Sequence, residues 1–202
     1  MKKLFLAVFL GLVFTSPSLA STVAFTAPND VTSGLEAGNP VNLAHVFTAN
    51  SNISVNALGA YYLKADWKVP ETVGLYDISG NLLSSTILSP TENTPEGYLF
   101  NDISLVTLTA GQKYLVNVFV STNAWSSGAV PIQDPNITYN SHVYKVSNIF
   151  EFPSDTEGAN RDAYYGPNFT IVGNSVVPEP STFFLLGAGL SGLAVIRRKS
   201  KK

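Results

Sequence analysis

The chain contains no cysteine, few charged residues and only two histidines. Without cysteine it has no disulfide, no thiol nucleophile and no thiolate metal ligand. Charged residues make up 13% of the 202 residues, whereas soluble proteins average about 25%. No Gly-x-Ser-x-Gly elbow accompanies His45 or His142, so the sequence offers no motif for a Ser-His-Asp hydrolase. We expect both histidines to be structural or surface residues.

The charges are unevenly distributed along the chain. All 14 acids lie between Asp30 and Glu179, and that stretch holds only five bases, which leaves it a net charge of −9. The other seven bases lie at the two ends, beside apolar runs, as membrane topology signals do. Because nucleic-acid binding needs a surplus of Lys and Arg, the acidic middle argues against nucleic acid as a partner.

The first 20 residues, MKKLFLAVFLGLVFTSPSLA, have the three parts of a secretory signal peptide. Lys2 and Lys3 precede an apolar stretch over residues 4–14, and small residues stand at Ser18 and Ala20. The apolar stretch is too short to span a bilayer. We therefore predict that signal peptidase cleaves between Ala20 and Ser21.

The last 29 residues, 174–202, also divide into three parts. Val177, Pro178, Glu179 and Pro180 form a rigid, extended motif, because proline fixes φ and disfavours helix before it. Residues 181–196 carry no charge and would form a helix of about 24 Å, close to the thickness of a bilayer core. Arg197, Arg198 and Lys199 begin a basic tail over 197–202, which predicts a stop-transfer cluster that stays cytoplasmic.

The uncharged segment contains Gly-Ala-Gly-Leu-Ser-Gly, which matches a dinucleotide-binding fingerprint. Such a site needs a following helix, a second strand and an acid about 20 residues downstream. Only ten residues follow Gly192, so the match is expected to be coincidental. The small residues instead suit close helix packing in a membrane.

The order of these features resembles the PEP-CTERM sorting signal of Gram-negative bacteria. The resemblance rests on Val177-Pro178-Glu179-Pro180, the glycine-rich span and Arg197-Arg198-Lys199. It implies that an exosortase recognises the motif as a substrate and cleaves near it. The precursor would sit in the inner membrane, and the body would then reach the cell surface or the extracellular exopolysaccharide. A plain single-pass anchor remains the alternative.

The body, residues 21–173, shows no amphipathic helix. About ten segments rich in Val, Ile, Leu, Tyr and Phe alternate with Gly, Pro, Asn and Asp, which predicts an all-β fold, a jelly-roll-like β-sandwich. The predicted strands include GYLFNDI, VTLT and VYKVSNIFEF. Gly80 and Gly111 are predicted to lie in turns. The segment after Gly111 is apolar on both faces, which is typical of a central strand.

Four segments of the body, ISVNALGAYY, VGLYDISGNLLSSTIL, VTLTAGQKYLV and YYGPNF, resemble a β-sandwich domain of unassigned function that often precedes PEP-CTERM tails. The resemblance covers most of residues 42–172. It implies a fold and a location, and no chemistry.

Two ligand sites are candidates within the body. Trp67 and Trp125 lie in polar contexts and could stack on sugar rings, although tryptophan more often packs in a core. Asp155, Glu157 and Asp162 lie around Gly158 and are a weak candidate for calcium. They depart from the EF-hand pattern, and a solvated acidic loop is the alternative. No other cofactor or metal is expected.

The sequence thus predicts an exported, non-enzymatic surface or matrix protein that is processed by exosortase and associated with exopolysaccharide, as in a biofilm. A secreted carbohydrate-binding module is the first alternative. A secreted hydrolase with a pair of acids is the second, and its candidate acids include Asp66, Glu71, Asp77 and Glu151.

Overall fold

All regular secondary structure in the described part of the chain is β-strand. The computed structural model describes residues 21–26, 39–62, 69–91, 97–121, 126–128, 131–156 and 163–172. Within these residues there is no helix, which confirms the all-β prediction. The strands are β1 (Ser21–Val23), β2 (Phe25–Thr26), β3 (Val41–Ala49), β4 (Ile53–Tyr62), β5 (Glu71–Asp77), β6 (Leu82–Leu88), β7 (Gly97–Leu108), β8 (Lys113–Val120), β9 (Ser126–Gly128), β10 (Ile132–Gln133), β11 (Ile137–Val146), β12 (Asp155–Thr156), β13 (Ala163–Tyr165) and β14 (Pro167–Val172).

Most of these strands form two packed sheets. The four-stranded sheet has the order β1-β14-β4-β7, and the six-stranded sheet has the order β12-β11-β3-β8-β5-β6. Every strand pair in the two sheets is antiparallel. Two short ribbons, β10-β2 and β13-β9, complete the strand pairing. Side chains from the inner faces of both sheets share one core, so the fold is a β-sandwich-like arrangement.

Aromatic side chains from both sheets meet at the centre of this core. Phe47 on β3 and Phe169 on β14 are fully buried, and their ring centroids lie 4.8 Å apart. Phe25 on β2 packs edge-on against Phe169 at 5.8 Å. Because large aromatic rings contribute much of the buried apolar area of a core, this trio ties the two sheets together.

Strand β8 is central, as its two-sided apolar pattern predicted. It pairs with β3 on one side and with β5 on the other. Val116 and Val118 point into the shared core, whereas Leu115 joins a second cluster on the opposite face of the sheet. A strand covered on both faces needs apolar residues at consecutive positions, which explains its sequence.

Glycine supplies the predicted tight turns. Gly80, between β5 and β6, has φ of 89°, and Gly111, between β7 and β8, has φ of 78°. Both values lie in the left-handed region that side chains other than glycine rarely adopt. The two turns are therefore confirmed. Gly80 closes the predicted β5–β6 hairpin, whereas the Gly111 turn connects strands of different sheets.

Two details of the strand prediction were wrong. The segments GYLFNDI and VTLT were predicted as two strands, but both belong to the single strand β7. Its register with β4 shifts between Asp102 and Val106, so a bulge lies where the sequence suggested a break. Residues 147–152, predicted as the second half of the strand VYKVSNIFEF, are irregular.

All described residues belong to one compact unit. Within them, no helix combines the length and the hydropathy that crossing a membrane requires. The predicted signal peptide over 1–20 and the predicted membrane helix over about 181–196 lie outside the described residues.

Candidate functional site

The irregular segment 147–153, here called the strap, crosses the outer face of the six-stranded sheet. Two asparagines that are fully buried in that face hold its backbone. Asn42 Nδ2 donates to the Ile149 carbonyl at 3.0 Å, and Asn42 Oδ1 accepts from the Glu151 amide at 3.1 Å. Asn117 Nδ2 donates to Asn42 Oδ1 at 3.1 Å and to the Glu151 carbonyl at 3.0 Å. The amides replace the strand pairing that the strap lacks.

Two aromatic residues of the strap cover the sheet beneath it. The Phe150 and Phe152 rings lie 5.9 Å and 5.5 Å from the Tyr76 ring, and Phe150 lies directly over Gly74. Burial raises the pKa of the Tyr76 phenol. The strap therefore encloses a second, smaller apolar cluster with Ala44, Val46, Leu115 and Val143.

An ion pair closes one side of the strap. Lys145 Nζ donates to Glu151 Oε2 at 2.8 Å, and about a third of each side chain is exposed. Hydrogen bonds from Lys145 and Ser147 lower the pKa of Glu151. This acid, one of the hydrolase candidates, thus has a structural partner.

The two histidines lie opposite each other in the core. His45 on β3 is paired in register with His142 on β11, and their exposed fractions are 0% and 2%. The His45 ring packs edge-on against Phe25 at 4.9 Å and Tyr139 at 5.5 Å. The Tyr139 hydroxyl lies 3.3 Å from His142 Nδ1, and burial raises the pKa of Tyr139 to about 12. Both histidines are therefore buried in the core among aromatic side chains.

The acids at two turns stabilise the backbone. Asp77 Oδ1 accepts from the backbone amides of Ser79 and Asn81 at 2.9 Å and 3.0 Å. A hydrogen bond from the Asn81 side chain, followed by these backbone bonds, lowers the pKa of Asp77. Asp134 Oδ1 accepts from the Asn136 amide at 2.8 Å. Such Asx turns are a common use of aspartate in loops.

Sequence reasoning missed a cluster of aromatic residues on the outer face of the four-stranded sheet. Tyr61 on β4 is directly opposite Tyr98 on β7, and their ring centroids lie 5.2 Å apart. Phe100 follows on the same face at 6.1 Å from Tyr98, and its ring lies against Gly59, where a Cβ atom would come within 2.4 Å. All three rings are half-buried. The only sequence signal was the spacing Tyr-x-Phe, which places two side chains on one strand face.

The predicted ligand-binding residues lie mostly outside the described residues. The described part of the chain excludes Trp67, Trp125, Glu157 and Asp162. Asp155 is described only as a residue of β12. Within the described residues, no three His, Asp or Glu side chains are grouped closely enough to hold a metal. The sugar-stacking and calcium sites therefore stay predictions.

The two ends of the described body meet at one place. Ser21, which begins β1 directly after the predicted signal-peptidase site, is paired in register with Val172, the last residue of β14. The Ser21 hydroxyl also donates to Asn56 Oδ1 at 3.1 Å. Strand β14, which leads to the C-terminal segment, thus pairs with β1, which follows the predicted signal peptide.

The C-terminal segment matches a known sorting signal. Residues 176–199 match the model of the PEP-CTERM protein-sorting motif, and this range includes the Val-Pro-Glu-Pro sequence at 177–180 and the basic residues at 197–199. The chain matches no curated protein. The motif implies export across the membrane to the cell surface, with an exosortase as the processing partner. The chain thus carries a PEP-CTERM protein-sorting motif and is an exported protein targeted to an exosortase.

Proposed function

We propose that the chain delivers a non-enzymatic β-sandwich to the cell surface, where the sandwich associates with exopolysaccharide in the extracellular matrix. The observation that carries the proposal is the sorting motif over 176–199, because it makes the C-terminal segment an address and leaves the body as the delivered part. Signal peptidase would first release the precursor's N-terminus, and the inner membrane would hold the precursor until the exosortase acts.

The contacts of several ionisable residues in the described part of the body support a structural role. Asp77 and Asp134 brace turns, Glu151 pairs with Lys145, and His45 and His142 pack in the core. Each of these groups is held by contacts that maintain the fold.

We further assign the sandwich to the jelly-roll class. Eight strands show the pattern, taken in chain order: β1, β3, β4, β5, β6, β7, β8 and β14. The first of these pairs with the eighth, the second with the seventh, the third with the sixth and the fourth with the fifth. The four pairs are β1–β14, β3–β8, β4–β7 and β5–β6, and they alternate between the two sheets. A long hairpin rolled into two sheets has this pairing, and β11 is then an addition beside β3.

Sorting can be tested in cells that express the full chain. Replacing Pro178, Glu179 and Pro180 by Ala should leave uncleaved precursor in the inner-membrane fraction. A matched control replaces Gly173, Asn174 and Ser175 by Ala, since these residues lie just outside the matched range. Surface delivery of the motif variant at the mass of the normal product would contradict the proposal.

A carbohydrate-binding module is the second candidate function, and the aromatic cluster of Tyr61, Tyr98 and Phe100 favours it. Aromatic rings offer flat apolar faces with polar edges, which suits sugar rings. We expect Tyr61→Ala combined with Tyr98→Ala to weaken retention on the host's purified exopolysaccharide by about tenfold, equivalent to about 1.4 kcal/mol. Phe119→Ala, at a half-buried position on β8, is the control. Equal retention of both variants would leave the sandwich as a matrix protein without this sugar site.

A further inference from the structure

The body has one end at which both of its termini lie. Ser21 is paired with Val172, Val172 with Ser54, and Ser54 with Thr107. These residues form one row across the four-stranded sheet. The turns next to this row therefore lie beside the point where the chain leaves the body toward the sorting motif.

Three loops at this end, here called the tail-side loops, comprise residues 50–52, 109–112 and 134–136. Hydrogen bonds join them to one another. Asn52 Oδ1 accepts from the Ala110 amide at 2.9 Å. The Asn50 amide donates to the Asn136 carbonyl at 2.8 Å, and Asn50 Nδ2 donates to the Pro135 carbonyl at 3.0 Å. Loops that are cross-linked in this way present a preformed surface.

The tail-side loops are almost free of charge. Asp134 is their only ionisable residue, although residues 30–179 carry a net charge of −9. Neutral polar groups that already bond to one another cost less to bury against a partner than charged groups do. The tail-side loops can therefore be covered by another protein at a lower desolvation cost than charged loops.

The chain between the body and the motif is short. Five residue steps separate Val172 from Val177, so the two Cα atoms lie within about 18 Å even when the chain is fully extended. Four strands at about 4.8 Å spacing already make a sheet about 14 Å wide, and two sheets pack about 10 Å apart. The connecting chain is therefore about as long as the four-stranded sheet is wide. An enzyme that holds residues 177–180 in its active site must lie close to this end of the body.

We propose that the tail-side loops are a docking surface for the exosortase, which contacts them with its external face while it cleaves the tail. The proposal rests on exosortase processing of this chain. The short connection keeps the surface at the enzyme during cleavage, so the folded body contributes to substrate recognition together with the linear motif.

The test measures the rate at which the full-length precursor is converted to product in a pulse-chase experiment in the native host. The tail-side variant carries Ala110→Glu and Gln112→Glu, two exposed positions. The control carries Asn39→Glu and Ser89→Glu, two exposed positions. Asn39 precedes β3 and Ser89 follows β6, both at the end of the sheet that is remote from the tail-side loops. We expect the tail-side variant to be converted about tenfold more slowly than the control, since a new charge at an interface must lose its water.

A second pair of variants separates docking from a folding defect. A flexible Gly-Ser insertion of about ten residues after Gly173 adds about 35 Å of reach, so cleavage no longer requires the loops to touch the enzyme. With this insertion, both charge variants should be converted at the same rate. Equal rates without the insertion, or an unchanged difference with it, would overturn the proposal. A separate outcome concerns the proposed function: if the unaltered chain is converted equally fast in a strain without an exosortase, exosortase processing of this chain is refuted, and the docking proposal fails with it.

Discussion

Truncation of Phe169 tests whether the two sheets pack through their aromatic residues. Phe169 is fully buried, and its ring lies 4.8 Å from Phe47 on the opposite sheet and 5.8 Å from Phe25. Replacing a buried Phe by Ala costs about 3–5 kcal/mol through lost transfer energy and the remaining cavity. Because two ring pairs are lost as well, we expect a value near 4 kcal/mol.

Urea unfolding of the body, residues 21–176, followed by circular dichroism, measures this change. With a slope of about 2 kcal/mol per molar urea, the unfolding midpoint of Phe169→Ala should fall by about 2 M. Phe169→Leu fills part of the cavity and should lose about 1–2 kcal/mol. Leu105→Ala, at a position on β7 that is 62% exposed, should change stability by less than about 0.5 kcal/mol. If Phe169→Ala were no more destabilising than Leu105→Ala, the packing described here would be refuted.

Three further predictions concern turns and ionisable groups. Gly80→Ala should destabilise the body by about 1 kcal/mol in urea unfolding, because φ is 89° there; an unchanged midpoint would argue against this turn. Burial raises the pKa of Tyr139 to about 12, so the contribution of this phenol to stability should be full below about pH 10 and be lost as the pH rises toward 12. In Tm measured against pH, Tyr139→Phe should flatten that fall, and parallel curves for the two proteins would contradict this. The pKa of Asp77 is lowered by the Asn81 side chain and nearby amides, so the stability that the Asp77 carboxylate contributes should be present at neutral pH and be lost in acid. Asp77→Asn should lower Tm at pH 7 and have the same Tm as the unaltered body below about pH 3. A difference in Tm that persists in acid would refute the charge effect.

The elements that depend on local sequence could be predicted. Gly80 and Gly111 mark turns because a positive φ requires a residue without Cβ. The consecutive apolar residues around Val116 indicated a strand covered on both faces, since no single face could hold them. The sorting motif was also predictable, because a processing enzyme reads a short linear peptide.

The elements that depend on distant contacts could not be predicted. The strap looked like a strand because Phe150 and Phe152 alternate with polar residues. Its path is determined by Asn42 and Asn117, which are remote in sequence, so no local pattern reveals it. The aromatic cluster likewise depends on the register that places Tyr61 opposite Tyr98.

The bulge in β7 shows the same limit. Asp102 and Ser104 interrupt the apolar pattern, which favoured two separate strands. In the structure the chain keeps pairing with β4 on both sides of the bulge, because β4 supplies a continuous row of backbone partners. Strand continuity was thus decided by the neighbouring strand.

The measurement that tests the central claim most directly is the intact mass of the cell-surface form, compared between the host and a strain that lacks its exosortase. With the exosortase, we predict a product that begins at Ser21 and has lost the C-terminal part of the sorting segment over 176–199. Without the exosortase, the uncleaved tail should remain and the protein should stay in the inner membrane. A surface form of the same mass in both strains would contradict the account.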